Sequence, residues 1–242
     1  MNDERLTRVL ERLADDAAAC GSAVSSETAC EACVHLTGVT GVQLTLMNGV
    51  GHGESRYSTN EIGDRLEDLR FVLGEGPCED AVRYGVPVAV PDLDAKANHR
   101  RWPLFVLAAG AAGARALFVF PLRSGAVRLG ALVLNRTSPG PLAAEQVSDA
   151  LVMTEVVMSL VLDELAGVRL DADSPVPGGI PFRHAEVYQA TGMLSVQMGV
   201  SVDEALVRLR ADAFAQDQPV VEVARDVVAR RVRLDLDGRT RP

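Results

Sequence analysis

The sequence predicts an α+β domain, in which helices flank an antiparallel sheet, followed by a small all-α domain of three helices. Amphipathic helices and strands alternate up to residue 170, residues 171–181 are rich in proline and glycine, and three short, separately capped helices follow. We therefore predict one domain over residues 1–170, a linker over 171–181, a second domain over 182–236 and a tail over 237–242.

Composition and charge limit the classes of function. The chain has 242 residues, of which 48% are hydrophobic and only 4% aromatic, so valine, leucine and alanine must build most of the core. We see no leader and no apolar stretch long enough to span a bilayer, and we expect a cytoplasmic protein without membrane contact. Nine arginines and nine acidic residues lie from Pro181 onward, so the net charge of −9 belongs to the preceding chain. This distribution argues against nonspecific coating of nucleic acid but permits a small, selective contact.

The elements of the first domain follow from hydrophobic periodicity. Apolar residues three or four apart predict helices, and alternating ones predict half-buried strands, such as GVQLTLM at residues 41–47. The predicted order is helix 4–20, helix 26–36 capped by Ser25 or Ser26, strand 41–47, a strand near 54–59, helix 61–72, strand 87–90, helix 101–111, strands 115–122 and 127–135, and helix 141–165.

The last helix of this domain is apolar on two sides. One stripe comprises Val147, Leu151, Thr154, Val157, Met158, Val161 and Leu165, and the other Val152, Val156, Leu160 and Leu162. A helix of this kind buries both sides. We expect one side to pack on its own sheet and the other on a second chain, which predicts a parallel homodimer through residues 143–165. The alternative is a helix buried entirely within one domain.

A long excursion over residues 74–101 separates the early strands from the late ones and is where a ligand would be enclosed. The run LGEGPC at residues 73–78, followed by RWPLF and RALFVFPLR, resembles the GAF domain of actinobacterial regulators over residues 10–165. The resemblance implies a small-molecule sensor that forms dimers. Scarce aromatics often line apolar pockets, although core packing is the favoured role of Phe118. The candidate ligand-facing residues are Phe71, Glu75, Cys78, Trp102, Phe105 and Phe118.

Cys30 and Cys33 form a C-x-x-C pair with His35 close by. One hypothesis is a redox pair or part of a metal site. The other, which we favour, is two small buried residues on one face of a helix, because no second pair completes a zinc set. We expect no cofactor and no metal.

Helix start and stop signals divide the second domain into three helices. Gly199 predicts the end of the first, Ser201 and Glu204 form a capping box for the second, and Pro219 begins the third. We expect small residues, Gly192 among them, to let the helices approach closely. The predicted core comprises Val187, Ala190, Leu194, Met198, Ala205, Leu206, Leu209, Ala213, Phe214, Val220, Val223, Ala224, Val227 and Val228.

The residue types at these positions are similar to those of the ANTAR domain over residues 182–234. The matching segments are ATGML, SxxEA, LRxxA and VAxxVV. The resemblance implies binding of tandem RNA stem-loops and prevention of a transcription terminator. Thr191 stands where many members carry lysine, and Arg208 and Arg210 cannot share one helical face. The candidate RNA contacts are Gln189, Thr191, Arg208, Arg210, Arg225, Arg230 and Arg231, with a solvated role favoured for Arg225.

The sequence therefore favours a ligand-responsive RNA-binding antitermination regulator. Three short helices are also compatible with a DNA-binding regulator, but the start of the third helix is apolar and acidic rather than basic. A sensor and dimerisation module without nucleic acid is the third interpretation. An enzyme is not expected, because the four histidines lie in separate contexts without a nearby nucleophile.

Overall fold

The computed structural model describes residues 2–19, 21–47, 53–125, 127–165, 184–216, 218–234 and 240–241. The chain divides into two compact units, Met1–Gly178 and Gly179–Pro242. The predicted linker, residues 171–181, lies outside the described residues. No helix among the described residues is both long and apolar enough to cross a membrane.

The N-terminal unit is an α+β fold built on a five-stranded sheet. Its strands run in the order β2-β1-β5-β4-β3, and every neighbouring pair is antiparallel, which confirms the predicted architecture. The elements are α1 (Asn2–Ala19), α2 (Ser26–Thr37), β1 (Gly41–Met47), β2 (Gly53–Ser58), α3 (Glu61–Leu73), α4 (Pro77–Tyr84), β3 (Val88–Val90), α5 (Lys96–Arg101), α6 (Pro103–Ala111), β4 (Ala116–Ser124), β5 (Val127–Arg136) and α7 (Ala144–Leu165).

Helix boundaries in this unit follow local chemistry. Ser25 caps α2 by accepting the backbone N–H of Thr28, as predicted. The helix predicted over residues 101–111 is instead two helices, α5 and α6, that meet at Trp102. Pro103 disfavours helical backbone at the residue before it and occupies the first turn of α6, so the helix cannot run through this point.

Both faces of β1 are buried, so the expectation of a half-buried strand was wrong. Gln43 and Thr45, which the alternation assigned to a solvated face, lie beneath α3. Helices α2 and α7 pack on each other and contact the sheet at β1 and β4. A layer of helices on each side therefore turns the polar face of β1 into an interior surface.

Helix α7 buries one side and exposes the other. Ala150, Met153 and Val157 are buried, whereas Leu151 and Leu162 are exposed. The alternative of a helix enclosed within one domain therefore does not describe α7. On α1, Leu6 and Leu10, which are one turn apart, are exposed as well.

The C-terminal unit contains the three predicted helices. They are α8 (Ala185–Met198), α9 (Val202–Ala215) and α10 (Val220–Val228), and a short hairpin of β6 (Arg233–Leu234) and β7 (Thr240–Arg241) follows. Gly199 ends α8 in the left-handed conformation, with φ of 65°, and the Ser201 hydroxyl accepts the N–H of Glu204. The Glu204 carboxylate accepts from Arg208 rather than from the Ser201 N–H, so only one half of the predicted capping box is present.

Two predictions for this unit, one on the core and one on helix packing, are wrong. The Phe214 side chain is 73% exposed on the outer side of α9. Gly192 is exposed, and a Cβ added to it would meet nothing within 4 Å, so it does not mediate close helix packing. The other predicted core residues are buried, except that Val228 is half-buried.

Candidate functional sites

The N-terminal unit contains a small cavity between the sheet and helices α3, α4 and α6. Its volume is about 20 Å³, which suffices for one water molecule. The lining combines an apolar majority with one cluster of polar groups. It is formed by Gln43, Leu66, Glu67, Arg70, Pro77, Cys78, Phe105, Leu117, Val119 and Val133.

A buried ion pair forms the polar wall of this cavity. Glu67 and Arg70 lie one turn apart on α3, and Arg70 Nε donates to Glu67 Oε2 at 3.0 Å. Glu67 Oε2 also accepts from Gln43 Nε2 at 2.8 Å, and Glu67 Oε1 accepts the N–H of Ser55 at 3.1 Å. A buried carboxylate needs such a complete set of donors, because a missing donor leaves an uncompensated charge in the interior.

The guanidinium of Arg70 links α3 to α4. Its Nη1 donates to Glu79, and its side chain is only 5% exposed. Burial opposes its charge, but the attraction and hydrogen bonds of Glu67 outweigh burial and raise the pKa of Arg70. Burial also raises the pKa of the neighbouring Cys78 thiol to about 12. Cys78 is therefore a neutral thiol at physiological pH rather than a nucleophile.

The structure brings two of the predicted ligand residues, Cys78 and Phe105, to the cavity. Glu75 lies elsewhere: its Oε1 accepts the N–H groups of Leu104 and Phe105, both at 2.9 Å, and so caps the start of α6. That role occupies a carboxylate oxygen that we had assigned to a ligand.

The other predicted aromatics belong to the core. Phe71 and Phe118 are buried and are not among the residues that line the cavity. The Trp102 indole Nε1 donates to Asp80 Oδ2 at 3.1 Å, and the Arg101 guanidinium lies 4.5 Å from the indole ring centroid. Trp102 thereby ties α4 to the junction of α5 and α6.

The cluster of Gln43, Glu67 and Arg70 was not predicted from the sequence. The signal was present in part, because Glu67 and Arg70 are one turn apart in a predicted helix and Gln43 lies in a predicted strand. Only the packing of α3 against β1 brings them together, and that packing has no local signature.

Cys30 and Cys33 are buried thiols on α2. Burial raises the pKa of Cys33 to about 12 and that of Cys30 well above its ordinary value. Among the described residues, no group of three histidine, cysteine or carboxylate side chains is placed to hold a metal ion. This placement accords with the packing role that we favoured for the pair.

The predicted RNA contacts of the C-terminal unit divide by exposure. Gln189 is exposed on α8, but Thr191 is fully buried and its hydroxyl donates to the Val187 carbonyl at 2.7 Å. Burial removes Thr191 from the accessible surface. Arg208 and Arg210 are both half-buried on α9, and Arg208 pairs with Glu204 at 2.7 Å.

The end of α10 carries the most exposed guanidinium groups. Arg225 pairs with Glu186 at 3.6 Å, and Arg231 pairs with Asp226 at 3.2 Å while remaining 74% exposed. Arg230 is exposed, and among the described residues no carboxylate pairs with it.

Arg230 has an unusual backbone. It is the one described non-glycine residue with positive φ, at 57°. The Arg230 N–H donates to the Val227 carbonyl, and the Arg231 N–H donates to the Asp226 carbonyl. This is the pattern of a Schellman cap, in which glycine normally occupies the left-handed position. A non-glycine residue there costs about 1 kcal/mol.

An open groove lies between the outer face of α8 and the end of α10. Its volume is about 540 Å³. Its lining is mainly apolar, with Gln197 and Arg230 as the polar side chains. It is lined by Gly192, Met193, Val196, Gln197, Val227, Arg230 and Val232.

Comparison with known families accounts for both units. A GAF domain model matches residues 3–150, and an ANTAR domain model matches residues 183–228. The GAF match spans more than half of the chain, which therefore belongs to the GAF domain family. It carries an ANTAR domain in its C-terminal unit, so the chain is a regulator that combines the two, as its sequence motifs predicted.

Two solved GAF domains are similar to part of this chain. The GAF domain of an Acinetobacter phosphoenolpyruvate-protein phosphotransferase is 13% identical, with a TM-score of 0.50, and the match covers 69% of this chain and 96% of that one. The corresponding domain from Coxiella burnetii is 14% identical, with a TM-score of 0.49 and coverage of 68% and 99%. No curated protein matches the chain.

Proposed function

We propose that this protein is a cytoplasmic, ligand-responsive antitermination regulator whose C-terminal unit binds tandem RNA stem-loops. The ANTAR domain match to residues 183–228 carries the proposal, because ANTAR domains are RNA-binding antitermination regulators. The exposed arginines at the end of α10 add the planar, cationic groups that pair with phosphates or stack on unpaired bases.

The surface of the C-terminal unit favours RNA loops over duplex DNA. A recognition helix in the major groove presents polar and basic residues at its N-terminus. The start of α10 instead buries Val220 and Val223, and its first-turn charge is the exposed Glu222. The exposed arginines lie at the opposite end of this helix, where Arg230 lines the open groove.

The proposal includes a homodimer formed through α7 and α1. Leu151, Leu162 and Leu165 are exposed along α7, and Leu6 and Leu10 along α1. A second copy would remove these leucines from water and bring two C-terminal units to one RNA. Two linked contacts then bind a tandem target far more tightly than either alone.

Native mass spectrometry tests the dimer. We expect the wild type at twice the chain mass of 25.8 kDa and the variant Leu151→Glu/Leu162→Glu at the single mass. Leu107→Glu on α6 is the control, because Leu107 is an even more exposed leucine that lies off the proposed interface. A wild type that stays monomeric at micromolar concentration contradicts this part of the proposal.

The effector is proposed to enter at the cavity beside Glu67 and Arg70. Sites for small molecules occupy about 300–1,000 Å³, far more than the 20 Å³ present. An effector therefore has to displace α4 or α6, whose Cys78 and Phe105 close the cavity, and this displacement is the proposed signal. Native mass spectra of purified protein should show a retained small molecule, or RNA affinity should change with a metabolite extract. The sensing proposal is contradicted if no small molecule is retained and the metabolite extract leaves the RNA affinity unchanged.

Binding of RNA is tested by fluorescence anisotropy with the full-length protein. The ligands are a two-hairpin RNA, a single hairpin, and a DNA duplex of equal length. We expect the order two-hairpin RNA, single hairpin, duplex DNA, with a gain of at least about 100-fold from the second hairpin. Tighter binding of duplex DNA would support a DNA-binding regulator instead. Absence of binding to every nucleic acid at low salt would leave the sensor and dimerisation module.

A further inference from the structure

The groove between α8 and α10 has the chemistry of a site for an unstacked nucleobase. Met193 and Val196 offer an apolar surface to a base, with the buried Val227 beside them, and Gln197 offers an amide to a base edge. Val196 is 85% exposed, so this apolar surface is open to solvent. We propose that this groove receives one extruded base of an RNA hairpin loop, an inference that rests on the proposed RNA-binding function.

Arg230 supplies a positive charge that favours a nucleic acid as the ligand of the groove. It lines the groove, is exposed and, among the described residues, pairs with no carboxylate. Arg231, next to it, is paired with Asp226 but remains mostly exposed. A guanidinium at the margin of an apolar groove complements a base, which stacks, and the phosphate attached to it, which is anionic.

The backbone conformation of Arg230 also supports a functional role for the groove. A left-handed cap position favours glycine, yet this chain places arginine there at a cost in stability. Residues held in costly backbone conformations concentrate at sites of function. The guanidinium is therefore kept at the groove margin against the local preference of the backbone.

Gly192 provides the opening of the groove. Glycine within a helix is less stable than alanine, and the space beside Gly192 is empty, so close packing does not explain its presence. It lies on the same face of α8 as Gln189 and Val196, three residues after the one and four before the other. A side chain at this position would project from α8 into the space that a base would fill.

The experiment is a double-mutant cycle between the groove and the loop. Each loop position of the two-hairpin RNA is replaced in turn by an abasic nucleotide, and affinity is measured for wild type and Gly192→Leu. One abasic position should weaken wild-type binding by at least about tenfold, the effect of losing one stacked base. Gly192→Leu should bind the intact RNA more weakly than the wild type by a similar factor. Its affinity should not change further when that same position is abasic. Equal abasic penalties in both proteins overturn the proposal.

Arg230→Gly provides the second arm, and Arg225→Ala within α10 is the control that also removes one positive charge. Arg230→Gly should reduce RNA affinity at least about tenfold more than the control does, while its thermal midpoint equals or exceeds that of the wild type. Equal affinities for the two variants overturn the proposal. A change in the number of chains per oligomer of Gly192→Leu in the absence of RNA also overturns the proposal, since a second protein chain would then occupy the groove. Failure of the wild type to bind any hairpin refutes the proposed function itself.

Discussion

Arg70 and Arg230 show how differently the two units of this chain use one side chain. Arg70 is buried, contacts two carboxylates and joins α3 to α4. Arg230 is exposed, lacks a carboxylate partner among the described residues and holds an unfavourable backbone conformation. The first arrangement stabilises the N-terminal fold. The second weakens the C-terminal fold slightly and leaves a cation available to another molecule. The contrast separates arginines that hold the protein together from those that serve recognition.

Removal of the buried guanidinium should give the largest loss of stability. Arg70→Met leaves the Glu67 carboxylate buried without its countercharge, and we expect the free energy of unfolding to fall by about 3–5 kcal/mol. Thermal and urea denaturation measure the change. Arg65→Met on the same helix is the control, because its exposed pair with Glu61, at 3.9 Å, is worth less than about 1 kcal/mol.

The double variant Glu67→Gln/Arg70→Met sharpens this comparison. Removing both charges should recover much of the lost stability, because no uncompensated carboxylate remains. An Arg70→Met protein as stable as Arg65→Met would mean that Arg70 is not the internal link described here. Arg230→Gly should lack any such loss.

In the C-terminal unit, a core substitution should likewise cost far more stability than a surface substitution. Leu209 is fully buried, and Leu209→Ala is expected to destabilise this unit by about 2–5 kcal/mol. Phe214→Ala should change the free energy of unfolding by no more than about 0.5 kcal/mol, because the ring is exposed. Urea denaturation followed by circular dichroism compares the two. A large loss for Phe214→Ala would place that ring in the core, as the sequence alone predicted.

The smallest expected effect is alkaline destabilisation of the N-terminal unit. Burial raises the pKa of Cys33 and that of Cys78 to about 12, so the folded state holds these protons more tightly than the unfolded chain. The stabilisation is complete below about pH 8.5, the ordinary thiol pKa, and is lost as pH rises towards the folded-state values. The thermal midpoint should therefore fall in this window, and less steeply in Cys33→Ala/Cys78→Ala. Equal slopes for the two proteins would contradict the burial of these thiols.

Elements with local signatures could be predicted from the sequence. The cap at Ser25, the stop at Gly199 and the start of α9 at Ser201 each need only neighbouring residues, and all three are present. The split at Trp102 was missed even though Pro103 marks it, because apolar periodicity continues on both sides of the break.

Properties that depend on packing between distant elements could not be predicted. The alternation in β1 indicates two faces but not that α3 covers the polar one, so the buried Gln43 remained hidden. Phe214 was assigned to the core because it is large and apolar, yet α9 turns it outward. The same lack of tertiary information left the groove beside Gly192 undetected, since its walls come from both ends of the C-terminal unit.

In vitro transcription measures antitermination by this protein itself. The template carries two hairpins upstream of an intrinsic terminator, and the measured quantity is the fraction of transcripts that pass the terminator. Full-length protein is predicted to raise readthrough on this template but not on one that lacks the first hairpin, and Arg230→Gly is predicted to be much less effective. Unchanged termination at protein concentrations that saturate the RNA would contradict the account.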